Sequence, residues 1–179
     1  TKADIVLING GSSRGHEDYT GKILESAASF VQHGIKSIPG IPVAVSIISG
    51  KPVINLPGPS LAAFYVMDWC VRALVFHYLG HPAPERVKVP VILQSGINAP
   101  EPYDFYVRLN VVRSGNHYEA SVLTWNHRFP VLISGCNALL IVPIGVAGYE
   151  KGQTVEAELL YGIDGIPEHG RSGRISDKK

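Results

Sequence analysis

The stretch Asp4-Ile-Val-Leu-Ile-Asn-Gly-Gly-Ser-Ser-Arg-Gly15 joins a short apolar run to a glycine-rich turn. A nearly continuous apolar run is typical of a β-strand that is buried on both faces of a sheet. Beyond the turn, apolar residues recur at helical spacing from Asp18 to Phe30. The order of strand, turn and helix predicts an α/β layer, with the turn at the carboxyl end of the strand.

A second strand, turn and helix follow along the chain. Residues 43–48 and 52–56 are predicted strands, joined by the turn Ser49-Gly-Lys51. The turn Pro57-Gly-Pro-Ser60 then precedes an apolar helix predicted from Leu61 to Leu79, which Gly80 and Pro82 end. We therefore predict an α/β domain over residues 1–82 with a mostly parallel sheet.

Helical spacing nearly vanishes after residue 82. Five strand-like runs, separated by Gly, Asn and Pro turns, cover residues 87–93, 103–112, 118–124, 139–142 and 155–160. This pattern predicts a small all-β barrel over residues 83–164. The remaining residues, 165–179, are rich in Gly, Ser and charge, and we predict a disordered tail.

Composition narrows the class of partner. The chain has 179 residues, of which 45% are hydrophobic and 17% charged, and its net charge is +1. No basic field favours nucleic acid, and no apolar run is long and uncharged enough to span a membrane. The two cysteines, Cys70 and Cys136, lack metal-ligand spacing and are expected to be buried free thiols. We expect a cytoplasmic protein that binds a small molecule.

The two glycine-containing turns are the candidate binding site. Backbone N–H groups and a helix start favour an anion such as phosphate. The first turn offers N–H groups, two hydroxyls and a cation, from Gly10, Gly11, Ser12, Ser13 and Arg14, and the second offers Gly58 and Ser60. Either turn alone is an ordinary strand-to-helix connection, with Ser60 as a plain N-cap, so the prediction depends on their lying together.

Other polar residues leave alternatives open. Asp18 opens the first predicted helix, where it would either cap free N–H groups or hold a cation such as Mg²⁺ beside the anion. In the barrel, Arg108 is expected to face solvent, and the further candidates are Asp104, His127 and Arg128. No arrangement of a nucleophile and a base stands out.

Three motifs, in order, resemble those of the molybdopterin molybdotransferases (MoeA and gephyrin E-domain type). Asn9-Gly-Gly-Ser-Ser-Arg-Gly-His-Glu-Asp-Tyr19 is similar to the family's Gly-Gly-Val-Ser-Val-Gly loop with its following Asp. Ile38-Pro-Gly-Ile-Pro42 resembles Lys-Pro-Gly-Lys-Pro, and Leu56-Pro-Gly-Pro-Ser60 resembles Leu-Pro-Gly-Asn-Pro. Residues 137–160 are similar to the closing barrel segment, so the resemblance extends from Asp4 to Leu160 in one order.

The resemblance implies a fold and an activity. The front half would be the back portion of a MogA-like α/β domain, followed by the C-terminal β-barrel. The activity would be insertion of molybdate into adenylylated molybdopterin with Mg²⁺ assistance, usually by a homodimer. Asp18 would then be the catalytic and metal-binding residue. The residues that bind the pterin-phosphate would be Gly10, Gly11, Ser12, Ser13 and Arg14 on the first turn and Pro57, Gly58 and Ser60 on the second.

Departures from the family pattern keep other readings open. Ile38 and Ile41 replace two lysines that would attract phosphate or molybdate, and Arg14 would restore one cation. The α/β half has few elements for such a domain, so we expect the back end of a longer protein, inactive as a fragment. The alternatives are a diverged, non-catalytic molybdopterin-binding or scaffold module and, ranked last, a generic nucleotide-binding protein.

Overall fold

The computed structural model describes residues 2–10, 19–123 and 135–169. The chain divides between Pro84 and Glu85 into two compact units, the front unit and the back unit. No helix in the described part of the chain is long and apolar enough to cross a lipid bilayer.

The front unit contains a four-stranded mixed sheet with the strand order β1-β5-β4-β2. Its elements are β1 (Val6–Asn9), α1 (Tyr19–Ala27), β2 (Phe30–His33), β3 (Ser37–Ile38), β4 (Ala44–Ile48) and β5 (Lys51–Leu56). A long helix follows, as α2 (Ser60–Val66), a π-helical turn (Met67–Val71) and α3 (Arg72–Tyr78). The predicted helix over residues 61–79 is confirmed, with one wide turn in its middle.

The prediction of a mostly parallel sheet is wrong. β1 and β5 are parallel, but β5 with β4 and β4 with β2 are antiparallel. Ser49 (φ 50°) and Gly50 (φ 74°) form a two-residue connection between β4 and β5, and a connection this short can join only antiparallel strands. The first helix also ends at Ala27, whereas the helical spacing extends to Phe30, which is the first residue of β2.

The long helix covers one face of this sheet. Val43, Ile54 and Val66 are fully buried and pack in one cluster with Leu56 and Val71. Apolar side chains at helical spacing on α2 meet alternate side chains of β5, which is how a helix stripe buries one face of a strand. This packing holds α2 and the π-helical turn against β5.

The back unit is a closed five-stranded barrel, which confirms the predicted all-β half. Its strands are β6 (Lys88–Leu93), β8 (Asp104–Ser114), β9 (His117–Val122), β10 (Ala138–Val142) and β12 (Thr154–Leu159). The ring runs β10-β12-β6-β9-β8 and closes through pairing of β8 with β10. Two short strands, β7 (Ile97–Asn98) and β11 (Gly148–Tyr149), pair with each other in a separate two-stranded sheet. They lie in the connections between β6 and β8 and between β10 and β12. Alternate side chains fill the interior, for example Val89, Val91 and Leu93.

The first residues assigned to the disordered tail are ordered. Gly165 completes a 3₁₀ turn, and Ile166 packs against the barrel core. Arg113 N–H donates to the carbonyl of Pro167 at 2.9 Å, and His169 N–H donates to that of Arg113 at 2.8 Å. Burial of one apolar side chain and this backbone pairing compensate for a polar composition. Residues 170–179 lie outside the described residues.

Candidate functional site at one edge of the front sheet

The two predicted turns begin side by side. β1 and β5 are adjacent parallel strands in the register Val6–Val53 to Asn9–Leu56. Gly10 N–H continues this ladder by donating to the carbonyl of Leu56 at 3.3 Å. Because parallel strands point their carboxyl ends the same way, both turns leave the sheet at one edge.

The first turn is described only at its start. Gly10 has a φ of +94°, in the left-handed region that side chains with a Cβ rarely adopt. The chain therefore bends sharply as it leaves β1. The other predicted contributors, Gly11, Ser12, Ser13, Arg14 and the catalytic candidate Asp18, lie outside the described residues, so their roles stay predictions.

The second turn is described throughout. Pro57 is buried, whereas Gly58 and Ser60 are exposed. A Cβ added at Gly58 would meet no atom of the described residues within 4 Å, so these residues leave the backbone open to approach. Pro59 precedes the helix and provides no side-chain cap. The first helical hydrogen bond runs from the N–H of Ala63 to the carbonyl of Pro59, at 3.0 Å. Ser60 is thus the first residue of the helix and not its cap.

A buried asparagine ties the two strand ends together. Asn55, on β5, is 1% exposed. With its amide oriented to satisfy hydrogen bonding, Nδ2 donates to the carbonyls of Ile8 at 3.1 Å and Gly10 at 2.8 Å. A buried amide is stable only when such partners are present. Asn55 therefore holds the beginning of the first turn against the end of β5.

The remaining motif of the resemblance, residues 38–42, lies at the same edge. Ala44, the first residue of β4, pairs with Asn55 on one side and with His33, the last residue of β2, on the other. Residues 34–43 connect β2 to β4 at this edge. Their ends are closed by two hydrogen bonds, from Gly34 N–H to the carbonyl of Val43 at 2.7 Å and from Ile35 N–H to that of Ile41 at 3.1 Å.

We call residues 9–10, 33–43 and 56–60 the carboxyl edge. Among these described residues, Lys36 is the one Lys, Arg, Asp or Glu, and none is a carboxylate. No group of three or more metal-ligating His, Cys, Asp or Glu side chains occurs in the described part of the chain. One cation and no carboxylate among the described residues of this edge would suit an anion.

The barrel candidates have structural roles. The expectation that Arg108 faces solvent is wrong: it is 6% exposed, and its guanidinium donates to the carbonyl of Leu123 at 3.2 Å. Val107 and Leu109 face the barrel core, so strand alternation places Arg108 on the other face of β8, where it is nevertheless buried and hydrogen-bonded. Asp104 accepts a hydrogen bond from Ile144 N–H at 3.0 Å. His127 and Arg128 lie outside the described residues.

The two cysteines are free, as predicted. Cys136 is buried, and Cys70 is partly buried in the front unit. Burial raises the pKa of the Cys136 thiol, which nearby Arg108 partly offsets, and burial likewise raises the pKa of Cys70. A raised pKa keeps a thiol protonated and poorly nucleophilic at neutral pH. Neither residue has the character of a catalytic nucleophile.

Comparisons with known proteins agree with this arrangement. Residues 1–77 match a family described as a probable molybdopterin binding domain. A protein of Bacillus subtilis named molybdopterin molybdenumtransferase is 24% identical over 161 residues, which are 89% of this chain and 37% of that protein. The chain is MoeA-like.

Further relatives support the MoeA-like assignment. A protein of Methanocaldococcus jannaschii assigned to molybdopterin biosynthesis is 27% identical over 157 residues, covering 88% of this chain and 36% of that protein. The crystal structure of a MoeA protein from Pyrococcus horikoshii superposes with a TM-score of 0.71 at 24% identity, covering 90% of this chain and 38% of that one. The MoeA-like chain thus spans just over a third of the length of these curated relatives.

Sequence reasoning missed two residues of this edge. Asn55 interrupts the apolar run Val53-Ile-Asn-Leu56 directly before Pro57, and a polar residue inside a buried strand is the signal that could have identified it. Lys36 carried no such signal, because only the pairing of β2, β4 and β5 shows that residues 34–43 lie beside the two glycine turns.

Proposed function

We propose that the carboxyl edge of this MoeA-like chain binds molybdopterin or its adenylylated form during molybdenum cofactor biosynthesis. The observation that carries the proposal is the parallel pairing of β1 with β5, which starts the turns at Gly10 and Gly58 at neighbouring positions. Backbone N–H groups of both turns would hold the phosphate, since such groups bind anions without a large net charge.

Three features of the edge support this assignment. Gly58 leaves its backbone accessible, Asn55 fixes the start of the first turn, and the described edge carries a cation but no carboxylate. The match of residues 1–77 to a probable molybdopterin binding domain agrees with the same ligand. Pro57, which is buried, would position Gly58 and Ser60 without touching the ligand itself.

Gly58→Val tests the proposal with little risk to folding. A Cβ at this position meets no described residue within 4 Å, but the added side chain would stand where a ligand must approach the turn. We expect an unchanged melting temperature and at least a tenfold loss of molybdopterin affinity by calorimetry. Ala73→Val is the matched control, because it adds similar bulk at an exposed position of α3. Equal binding by the wild type and Gly58→Val would contradict the proposed site.

Catalysis is a separate proposal. The activity implied by the resemblance, insertion of molybdate into adenylylated molybdopterin, would require Mg²⁺. The described residues of the carboxyl edge include no carboxylate that could hold this ion. Asp18 would be the ligand in that case, together with phosphate oxygens of the substrate. We expect Mg²⁺ to strengthen ligand binding to the wild type by calorimetry and to have no effect on Asp18→Ala.

A second candidate function is favoured by Ile38 and Ile41. These residues take the places of two family lysines at the carboxyl edge, and Ile41 is 41% exposed there. We propose as the alternative a non-catalytic module that binds or carries the pterin. Incubation with adenylylated molybdopterin, molybdate and Mg²⁺ separates the two functions, since binding without molybdenum insertion favours the module and insertion favours the transferase.

We also propose a cytoplasmic location and a homodimer. Sedimentation of the purified protein tests the homodimer.

A further inference from the structure

We infer that Lys36 is the cation that attracts and holds the anionic group of the ligand at the carboxyl edge. The inference rests on the proposed function and assigns a residue that the family motif does not supply. Lys36 is exposed and forms no ion pair with any described residue. It is the one Lys or Arg among the described residues of this edge.

The backbone around Lys36 is held in place. Hydrogen bonds from Gly34 and Ile35 N–H close residues 34–43 into a compact turn. Ser37, 5% exposed, donates its hydroxyl hydrogen to the carbonyl of Pro39 at 3.2 Å. A Cβ at Gly40 would lie 3.8 Å from Cγ2 of Val66, so the turn packs directly on α2. A long side chain on such a base loses little further backbone entropy when it contacts a ligand.

The sheet places this turn within reach of the second glycine turn, which follows β5. The hydrogen bond between Ile35 and Ile41 brings Lys36 beside Ile41. β2, which leads into the turn, is separated from β5 by β4 alone, a distance of about 10 Å at the usual strand spacing. A lysine side chain and one phosphate group together cover a gap of this size. The positive charge that is missing at Ile38 and Ile41 is therefore present two residues before Ile38.

A titration with inorganic phosphate tests the role of Lys36 independently of the natural ligand. Backbone amide shifts of Gly10, Gly58 and Leu61 would be followed by NMR at low ionic strength. We expect saturable shifts in the wild type and about a fivefold weaker apparent affinity in Lys36→Gln, since one partly exposed charge contributes modestly and is screened by salt. Lys51→Gln, which removes the same charge at the opposite end of β5, should leave the affinity unchanged.

A relocated charge makes the test specific. Ile41→Lys in the Lys36→Gln background should restore most of the lost affinity, because Ile41 is exposed beside Lys36. Wild-type affinity in Lys36→Gln, or no response of the edge amides to phosphate in the wild type, would overturn the role of Lys36. Molybdopterin binding that Gly58→Val abolishes would still support the proposed function in that event, so the two failures are distinguishable.

Discussion

Asn55 is the residue on which the geometry of the carboxyl edge most depends. Its amide donates to two carbonyls and is almost fully buried. In Asn55→Asp, a carboxylate would face the same two carbonyl oxygens, so we expect a loss of about 3 kcal/mol in the free energy of unfolding at pH 7. Urea denaturation measures this loss, and Asn116→Asp, on an exposed turn, is the matched control.

The pH dependence of this loss has a definite sign. The carboxyl group of the Asn55→Asp variant would have a raised pKa in the folded state, because only its protonated form can donate to a carbonyl. The folded state then binds more protons than the unfolded state, so stability falls as pH rises. The difference in free energy of unfolding between Asn55→Asp and Asn116→Asp should shrink as the pH is lowered from 7 to 4. A constant difference would show that the hydrogen bonds of Asn55 are not its main contribution.

Gly148 is the residue at which the back unit tolerates no side chain. Its φ is +135°, and an added Cβ would lie 1.8 Å from the carbonyl oxygen of Ile97, the residue before its paired residue Asn98 on β7. Gly148→Ala should therefore lower the free energy of unfolding by at least about 3 kcal/mol. Gly152→Ala, where φ is +82° but nothing lies within 4 Å, should cost about 1 kcal/mol. Thermal denaturation of both variants compares a steric collision, in Gly148→Ala, with backbone strain alone, in Gly152→Ala. Similar losses of unfolding free energy in the two variants would contradict this account.

At the scale of the element, the short β4–β5 connection makes these two strands of the front sheet antiparallel. Ser49 and Gly50 both have positive φ, the geometry of a turn that favours Asn-Gly. Ser49→Asn should stabilise the front unit by about 0.5 kcal/mol, because asparagine adopts the left-handed region more readily than serine. Ser121→Asn, at an exposed strand position, should bring no gain. Chemical denaturation measures the free energy of unfolding of both variants, and equal values for Ser49→Asn and Ser121→Asn would contradict this prediction.

The long helix shows a second element-scale effect. Its π-helical turn places one extra residue in the segment Met67–Val71 between α2 and α3. Val66 and Val71, on either side, are both buried in the same cluster. An extra residue per turn rotates the side chains that follow, so the wide turn lets Val66 and Val71, five residues apart, both reach this cluster. The helical spacing of the sequence alone predicted a helix here but not this adjustment.

At the scale of the whole molecule, the two units differ in how they end their sheets. The barrel pairs each of its five strands on both sides, whereas β1 in the front unit has β5 as its partner among the described residues. A closed barrel leaves no open strand edge to pair with another chain. We therefore expect residues 85–169 to fold cooperatively when expressed alone.

Thermal unfolding followed by circular dichroism checks this prediction. Residues 85–165 provide the comparison, because they lack Ile166 and the backbone pairing of residues 167–169 with Arg113. This shorter piece should be less stable by about 2 kcal/mol. A non-cooperative transition for residues 85–169 would mean that the barrel depends on the rest of the chain.

Much of the architecture could be read from the amino-acid sequence. Apolar runs and turn residues indicated the strands, the long helix and the change to an all-β half near residue 82. Local patterns of this kind arise because each element must bury its own apolar face. The same local character explains the errors, since spacing cannot tell which strands pair, and it continued the first helix to Phe30, the first residue of β2.

The sequence by itself determined most of the longer elements, the order of the three motifs and their resemblance to one family. Only the tertiary structure decided that Gly10, Gly58 and residues 34–43 share one edge, that Asn55 ties the strand ends, and that Arg108 is buried. The physical reason is that these facts depend on contacts between residues far apart in the chain. Pairing, register and burial are decided by the packing of the whole unit, whereas helix and strand signals are local.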